Sequence, residues 1–226
     1  MTAVVWFRRD LRLADHLALA HAAGSGPVVP LFVLDPVLLR PAGAPRVAFL
    51  YRCLRALDES LGGRLVVRAG DPVAVVPAVA AEADAARVYA SWDGGPYGRT
   101  RDDRVADALG AEGRSIAPLG SPYAVDPGDL FNKDGNPFRV FSPFYRAWRA
   151  RGWGQPMTES LHVTWAEGLR SDGIPDDPRV EAILPPAGEE AGWARLEEFL
   201  AGPIDDYAAR RDRPAVDATS RLSPYL

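Results

Sequence analysis

Short apolar, β-branched blocks recur through the first 120 residues: TAVVWF (2–7), VVPLFVL (28–34), RLVVR (64–68), RVYAS (87–91) and RSIAPL (114–119). Runs of this length without polar alternation suit strands buried on both faces. Between them the period changes. Val47, Leu50, Leu54, Leu57 and Leu61 recur at spacings of three and four and mark one apolar face of a helix over 47–61. Asp71-Pro72 opens another helix as cap and first-turn proline, and Arg99–Leu109 supplies a third. This alternation predicts right-handed crossovers and an α/β fold with a doubly wound, five-stranded parallel sheet. Ligands of such sheets bind beyond the carboxyl ends of the strands, near the switch point in strand order. That rule selects four loops: Arg8–Asp10, Asp35-Pro36, Gly70-Asp71 and Ser91–Gly98.

After residue 120 the period breaks. KDGNPFRVFSPF (133–144) reads as a turn, a short extended run and a second turn, with a short helix following through Trp148. Residues 152–190, rich in Pro, Gly and acid, read as an irregular connector. Trp193, Leu196, Phe199 and Leu200 mark one more helix, which Gly202-Pro203 stops. The remainder, IDDYAARRDRPAVDATSRLSPYL, reads as the opening of a second domain. The organisation expected is an α/β domain over 1–130, a connector over 131–202 and the start of a helical domain over 203–226. From about Ile204 onward the apolar residues, Tyr207, Val216, Leu222, Tyr225 and Leu226, are scattered, and the segment is expected to be mobile.

Composition narrows the class. The 226 residues are 47% hydrophobic and 25% charged, as in an ordinary globular protein, and no run is apolar enough to span a membrane. The single cysteine, Cys53, excludes an internal disulfide framework and a Cys-rich metal site. A cytoplasmic location is expected. The net charge of −4 is unevenly spread: residues 176–206 hold nine acids against two arginines, net −7, which leaves the rest at +3. Mild acidity argues against a dedicated nucleic-acid glove but leaves local basic patches possible.

The common nucleotide signatures, GxGxxG after the first strand and GxxxxGK[ST], are missing. His16, His21 and His162 lack metal-ligand spacing, and Cys53, beside the apolar face of its helix, reads as a packed, inert thiol. Two features call for more. Arg8, Arg9, Asp10, Asp35, Arg46 and Asp93 crowd the carboxyl ends of the strands; the bland reading has the first three as solvated loop charges pairing with one another. FRVFSPFYRAWRARGW (138–153) interleaves aromatics with arginines. Stacking on bases is one reading, and packing against the sheet with arginine outside is the favoured one.

VVWFRRDLRLAD (4–15) followed by LFVLDP (31–36) resembles the amino-terminal signature of the DNA photolyase and cryptochrome family. ARVYASWDGGPYGRTRD (86–102), GNPFRVFSPFYRAW (135–148) and DYAARRDRPAVDATSRLSPYL (206–226) follow in the family's order. The resemblance covers essentially the whole chain and implies a blue-light-dependent deoxyribodipyrimidine photo-lyase. Reduced FAD in a helical domain would donate an electron to a cyclobutane pyrimidine dimer in UV-damaged DNA. This chain would supply the light-harvesting antenna domain, with no catalytic residue of its own and no metal. It would end within the FAD site, lack most of the helical domain and be inactive alone, a monomer with no membrane partner. A cryptochrome-type photoreceptor and a freestanding small-molecule-binding α/β module are the alternatives.

The resemblance also assigns residues. LDP, PRVAFL (45–50), GDP (70–72) and PYGRTRD (96–102) are closer to the deazaflavin-binding branch than to the folate-binding one. It implies that Asp35, Arg46, Cys53, Asp93 and Gly98 line 8-hydroxy-5-deazaflavin, in preference to methenyltetrahydrofolate. Gly95 departs from that branch, which often places an acid there. Thr219, Ser220, Arg221, Leu222 and Ser223 fall on the element that holds the FAD phosphates, where hydroxyls and free N–H groups at a helix start would form an anion site. Tyr207 falls on a tyrosine near the flavin nucleotide, and Arg211 on a basic position facing DNA.

Overall fold

Residues 3–7 and 28–34 are apolar throughout because both of their faces are covered. In the computed structural model, which describes residues 1–158, 161–213 and 215–225, they form β1 (Ala3–Phe7) and β2 (Val28–Leu34), and every residue of both strands is buried. β3 (Val66–Ala69), β4 (Arg87–Ala90) and β5 (Ser115–Pro118) complete an all-parallel sheet in the order β3-β2-β1-β4-β5. The five-stranded doubly wound fold expected from the sequence is thus the observed one, with its switch point between β1 and β4.

The period of two along each strand sorts side chains onto two cores. Ala3, Val5 and Phe7 of β1 join Phe32 and Leu34 of β2 against α1 (Leu17–Ala23) and α3 (Ala44–Ser60), where Leu54 and Leu57 reach them. Val4, Trp6, Leu31 and Val33 point the other way, against α4 (Pro72–Glu82) and α5 (Pro96–Ala111), which contribute Val76, Val79, Val105 and Leu109. α2 (Pro36–Leu39) is a single turn capped by Asp35. α5 begins three residues earlier than its apolar spacing indicates, because Gly95 caps it and Pro96 takes the first position.

The described residues between Arg151 and Glu189 are irregular, as their composition indicated, yet closely held. The Ala166 N–H donates to the Val28 carbonyl and the Val28 N–H to that of Thr164. At the edge strand β3, the Asp172 N–H donates to the Val67 carbonyl at 2.7 Å, Ser171 Oγ accepts from the Val67 N–H at 3.0 Å, and the Asp172 carboxylate accepts from the Ala69 N–H at 3.1 Å. Backbone groups that an edge strand leaves open are thereby satisfied. Arg52 and Arg55 on α3 both pair with Asp177.

Two expectations for the second half need correction. The aromatic–arginine run does not pack against the sheet. It forms α6 (Phe141–Arg151), which begins where a turn was expected and has no buried residue. The sheet has no face left to offer, since α1 and α3 occupy one side and α4 and α5 the other. Nor is the segment after Ile204 loose. α7 (Glu189–Leu200) and α8 (Pro203–Arg210) pack through an edge-on contact of Phe199 with Tyr207. Beyond them Ala218 is buried, Tyr225 meets Phe49 edge-on, and Tyr225 Oη donates to the Pro186 carbonyl at 2.7 Å. Leu226, expected to belong to that segment, lies outside the described residues. Among the described residues no helix is long and apolar enough to cross a membrane.

Candidate functional site at the switch point

Where β1 and β4 diverge, their carboxyl-end loops and the first turns of α5 bring several charged groups together. The Arg8 side chain, immediately after β1, is only 6% exposed and is not solvated. Its guanidinium donates to both oxygens of Asp102, one at 2.6 Å, and lies 4.8 Å over the Trp6 ring. Arg101, also buried, covers Trp6 at 4.9 Å and donates to Asp93 at 3.2 Å and to Asp102 at 2.8 Å. Trp6, Arg8, Arg101 and Asp102 form one unit, in which low exposure strengthens each charge-assisted bond. Arg9 is the solvated member of its loop, 3.9 Å from Asp93.

Asp10 is buried too and pairs with neither of its arginine neighbours. It accepts from Ser91 Oγ, and His16 Nε2 lies 3.0 Å from it. His16 Nδ1 accepts the Leu19 N–H and so caps α1, which puts the ring proton on Nε2, facing Asp10. Burial pushes the Asp10 carboxyl up, but the hydrogen bonds that His16 and the Ser91 hydroxyl direct at it outweigh that and hold the group well below the usual carboxylate range. Serine, histidine and aspartate are all present, yet the carboxylate stands between the other two. Ser91 donates to the acid and has no base of its own, so this is a clamp joining β1, β4 and α1 and not a nucleophile.

The predicted antenna residues divide into two groups. Asp35 and Asp93, which close β2 and β4, both turn toward α5. Asp35 caps α2 through the Val37 N–H at 2.9 Å and accepts from Tyr97 Oη. Burial, that carboxylate partner and its charge push the Tyr97 hydroxyl up to about 12. Asp93 accepts from the Gly95 N–H at 3.2 Å and lies flat on α5 at Gly98, where a Cβ would meet its Cγ at 2.3 Å. Gly98 is glycine because a carboxylate occupies the space a side chain would need. Arg46 stands exposed in the first turn of α3, with no side-chain partner among the described residues. Cys53 is not brought to this group; its sulfur meets the Gly188 backbone N–H, and burial raises its pKa. Tyr97, Arg101, Asp102 and Trp6 were not singled out from sequence. The signal available was the PYGRTRD run, whose 97, 98, 101 and 102 positions share one face of α5.

A second cluster lies at the carboxyl end of the described chain. Arg195 of α7 donates to the Ser220 carbonyl at 2.8 Å and the Thr219 carbonyl at 2.9 Å, and to Asp217 at 3.3 Å. Arg221 takes a left-handed backbone, φ 52°, and its side chain reaches Asp217 at 3.1 Å. The hydroxyls of Thr219, Ser220 and Ser223 make no hydrogen bond among the described residues. The helix expected here is a three-residue 3-10 turn, Ser223–Tyr225. Leu222 is half-buried. Tyr207 is partly exposed, with the Arg211 guanidinium 5.9 Å over its ring.

Two cavities lie away from both clusters. One of about 230 Å³ is bounded by Ser121, Tyr123, Asp126, Arg151 and Trp153, and one of about 550 Å³ opens between Arg52, Arg55 and Glu59 of α3 and Leu184–Ala187. Among the described residues no group of three or more His, Cys, Asp or Glu side chains is placed to hold a metal ion.

Comparison with known proteins adds the context. The family model described as DNA photolyase matches residues 3–162. Over 99% of its length the chain is 40% identical to the deoxyribodipyrimidine photo-lyase of Streptomyces griseus, of which it covers 52%. It superimposes with a TM-score of 0.82 and 28% identity on a bacterial class III photolyase from Agrobacterium tumefaciens, across 99% of this chain and 49% of that one. The corresponding values for an archaeal photolyase from Sulfolobus tokodaii, solved with two FAD molecules, are 0.80, 26%, 100% and 51%. The chain spans about half the length of the curated photo-lyases it matches.

Proposed function

Because the chain belongs to the DNA photolyase family, we propose that it supplies the antenna-chromophore domain and one edge of the FAD site of a blue-light-dependent deoxyribodipyrimidine photo-lyase. The observation that carries this reading is continuity: relatives bearing that name match at 36–40% identity over 98–99% of the chain, through both residue clusters. In this reading residues 1–130 are the antenna domain, 131–202 the connector and 203–226 the opening of the FAD-binding domain.

The residues present fit such groups. Arg9, exposed and 3.9 Å from Asp93, and Arg46, exposed with no side-chain partner among the described residues, suit an anionic chromophore, 8-hydroxy-5-deazaflavin before methenyltetrahydrofolate. Asp93, in the loop ahead of α5, and Tyr97, in its first turn, are fixed by Arg101 and Asp35 and would orient it. At the second cluster Arg195 holds the backbone of 219–220 and leaves the Thr219, Ser220 and Ser223 hydroxyls free for the phosphates of FAD. FAD, when bound, supplies the light-driven electron that opens a cyclobutane pyrimidine dimer. Tyr207 would pack near the nucleotide and Arg211 would face the damaged DNA. The whole protein would act as a cytoplasmic monomer.

Titrating 8-hydroxy-5-deazaflavin by fluorescence tests the antenna role. The wild type should bind it, and Asp93→Ala should weaken binding by about 1–3 kcal/mol by leaving Arg101 short of a partner. Equal affinities would remove Asp93 from the site, and no binding to either would remove the deazaflavin. Joining the chain to the carboxyl-terminal half of the Streptomyces relative and assaying dimer splitting under blue light tests the repair role. FAD retention without light-dependent repair would favour a cryptochrome-type photoreceptor. The chain by itself should purify without equimolar FAD, since a large cofactor needs most of its surface enclosed.

A further inference from the structure

Doubly wound sheets seat phosphate groups on helix starts beyond the carboxyl ends of their strands. In this chain that edge is lined with aspartate. Asp10 follows β1, Asp35 β2, Asp71 β3 and Asp93 β4, each within three residues of its strand. Three of these carboxylates accept the backbone N–H two positions on: Val37 at 2.9 Å, Val73 at 3.0 Å and Gly95 at 3.2 Å. At α1 the Leu19 N–H goes to His16, and Asp10 lies behind that ring. The chain caps its own helix starts, and mostly with negative charge.

Asp93 is held as a bound anion would be. Arg101 Nη2 donates to one carboxylate oxygen at 3.2 Å, the Gly95 N–H donates to the other, and Arg9 stands 3.9 Å from that second oxygen. Gly98, in the first turn of α5, makes room for the group by having no side chain. Two guanidiniums, a backbone N–H and a glycine at a helix start make an oxyanion cradle. Its occupant is a side chain of the same protein, only 13% exposed.

We propose that Asp93 sets the specificity of the switch-point site by standing where a ligand phosphate would bind, so that the site takes a deazaflavin through its rings and gains nothing from a phosphate on it. The proposal rests on the antenna reading above for the class of ligand. A phosphate brought up to Arg101 must displace the carboxylate or lie against it, and like charges at that distance repel. Arg101 has no donor to spare for both, since Asp102 takes its Nε and shares its Nη2. A carboxylate that merely capped α5 would leave the choice of ligand unaffected, which separates the two roles.

Three probes of the whole chain test it: inorganic phosphate, 8-hydroxy-5-deazaflavin with its ribityl chain, and the same molecule phosphorylated at the end of that chain. In the wild type, millimolar phosphate at constant ionic strength should cause no saturable shift of the Gly95 and Gly98 amide resonances. The unphosphorylated deazaflavin should bind it at least as tightly as the phosphorylated one. In Asp93→Ala both amides should shift saturably with phosphate. Whatever affinity the two deazaflavins lose in common, the phosphorylated form should gain about tenfold on the other, the worth of one charge-assisted hydrogen bond. A saturable shift in the wild type, tighter wild-type binding of the phosphorylated form, or a ratio that the substitution leaves unchanged overturns the proposal. Should Asp93→Ala fail to fold, Asp93→Asn keeps the shape and loses the charge, and an unchanged ratio there overturns it as well. If neither deazaflavin binds the wild type, the antenna reading is what fails. The phosphate titration of the folded variant then decides alone, and the absence of a saturable shift overturns the closed cradle too.

Discussion

In the sheet region Phe7, Leu19, Leu31, Leu54 and Leu109 lie in two cores that residues 3–118 close largely by themselves, whereas after residue 120 the buried apolar residues described are Leu130, Phe199 and Ala218. Both regions are built from similar residue types, and the second is the richer in large aromatics. The difference is geometric. Parallel strands require crossover helices, and those helices cover both faces of the sheet as soon as it forms. Later segments find only edges and helix backs to rest on. The connector takes the edge at β3, and α7, α8 and the residues up to Tyr225 settle on the outer side of α3 and on one another. α6 finds nothing.

The contrast can be tested by truncating one contact in each region. Leu54→Ala, in the core between α3 and the sheet, should cost about 2–5 kcal/mol in urea unfolding. A loss under 1 kcal/mol would mean that the first region is far less tightly closed than described. Gly98→Ala should cost about 1–3 kcal/mol, because the new methyl group displaces the Asp93 carboxylate and strands Arg101. In Asp93→Ala the same substitution should be nearly neutral, which a double-mutant cycle reads directly.

Asp10 gives the sheet region a pH dependence. Its folded pKa is depressed, so the stability it contributes is in place above the ordinary carboxylate value of about 4 and is lost as the pH falls below that toward the folded value. Asp10→Asn should flatten the decline in urea midpoint between about pH 5 and pH 2; an unchanged slope would mean that other carboxylates carry it.

Smaller effects belong to the second region. Arg195→Ala should cost about 1 kcal/mol, as partly exposed charge-assisted bonds do, and should let trypsin cut earlier at Arg210 and Arg221. If trypsin cuts the wild type there as readily, the docking seen around Ala218 and Tyr225 does not persist in solution. Smallest of all, Phe141→Ser should shift stability by no more than about 0.5 kcal/mol, since that ring packs on a neighbour and on no core.

Most of the sheet was legible because buried strands announce themselves by composition alone, and the rule that ligands lie beyond their carboxyl ends led to Asp35 and Asp93. The partners of those residues were not legible. Tyr97 meets Asp35 across 62 positions and Asp102 meets Arg8 across 94, and no local spacing encodes such pairings. His16 was dismissed as a ligand for want of metal spacing, but its work is to cap α1 and hold Asp10. The misreading of α6 had a different origin: its amphipathic pattern is real, and pattern alone does not reveal which surface is still vacant. The contact of α7 with residues 219–220 is made through their carbonyls, groups that every residue has and no side-chain pattern displays.

The seam between β3 and residues 171–172 also sets an order of events during synthesis. Val67 and its partner Ser171 are separated by 104 positions, so at about 5–20 residues per second the ribosome needs roughly 5–20 s to deliver the segment that closes this edge. Throughout that interval β3 has open N–H and C=O groups along the edge that this segment will cover. The nascent chain therefore passes through a defined window in which it is most exposed to pairing with another strand, and the window ends when Asp172 arrives.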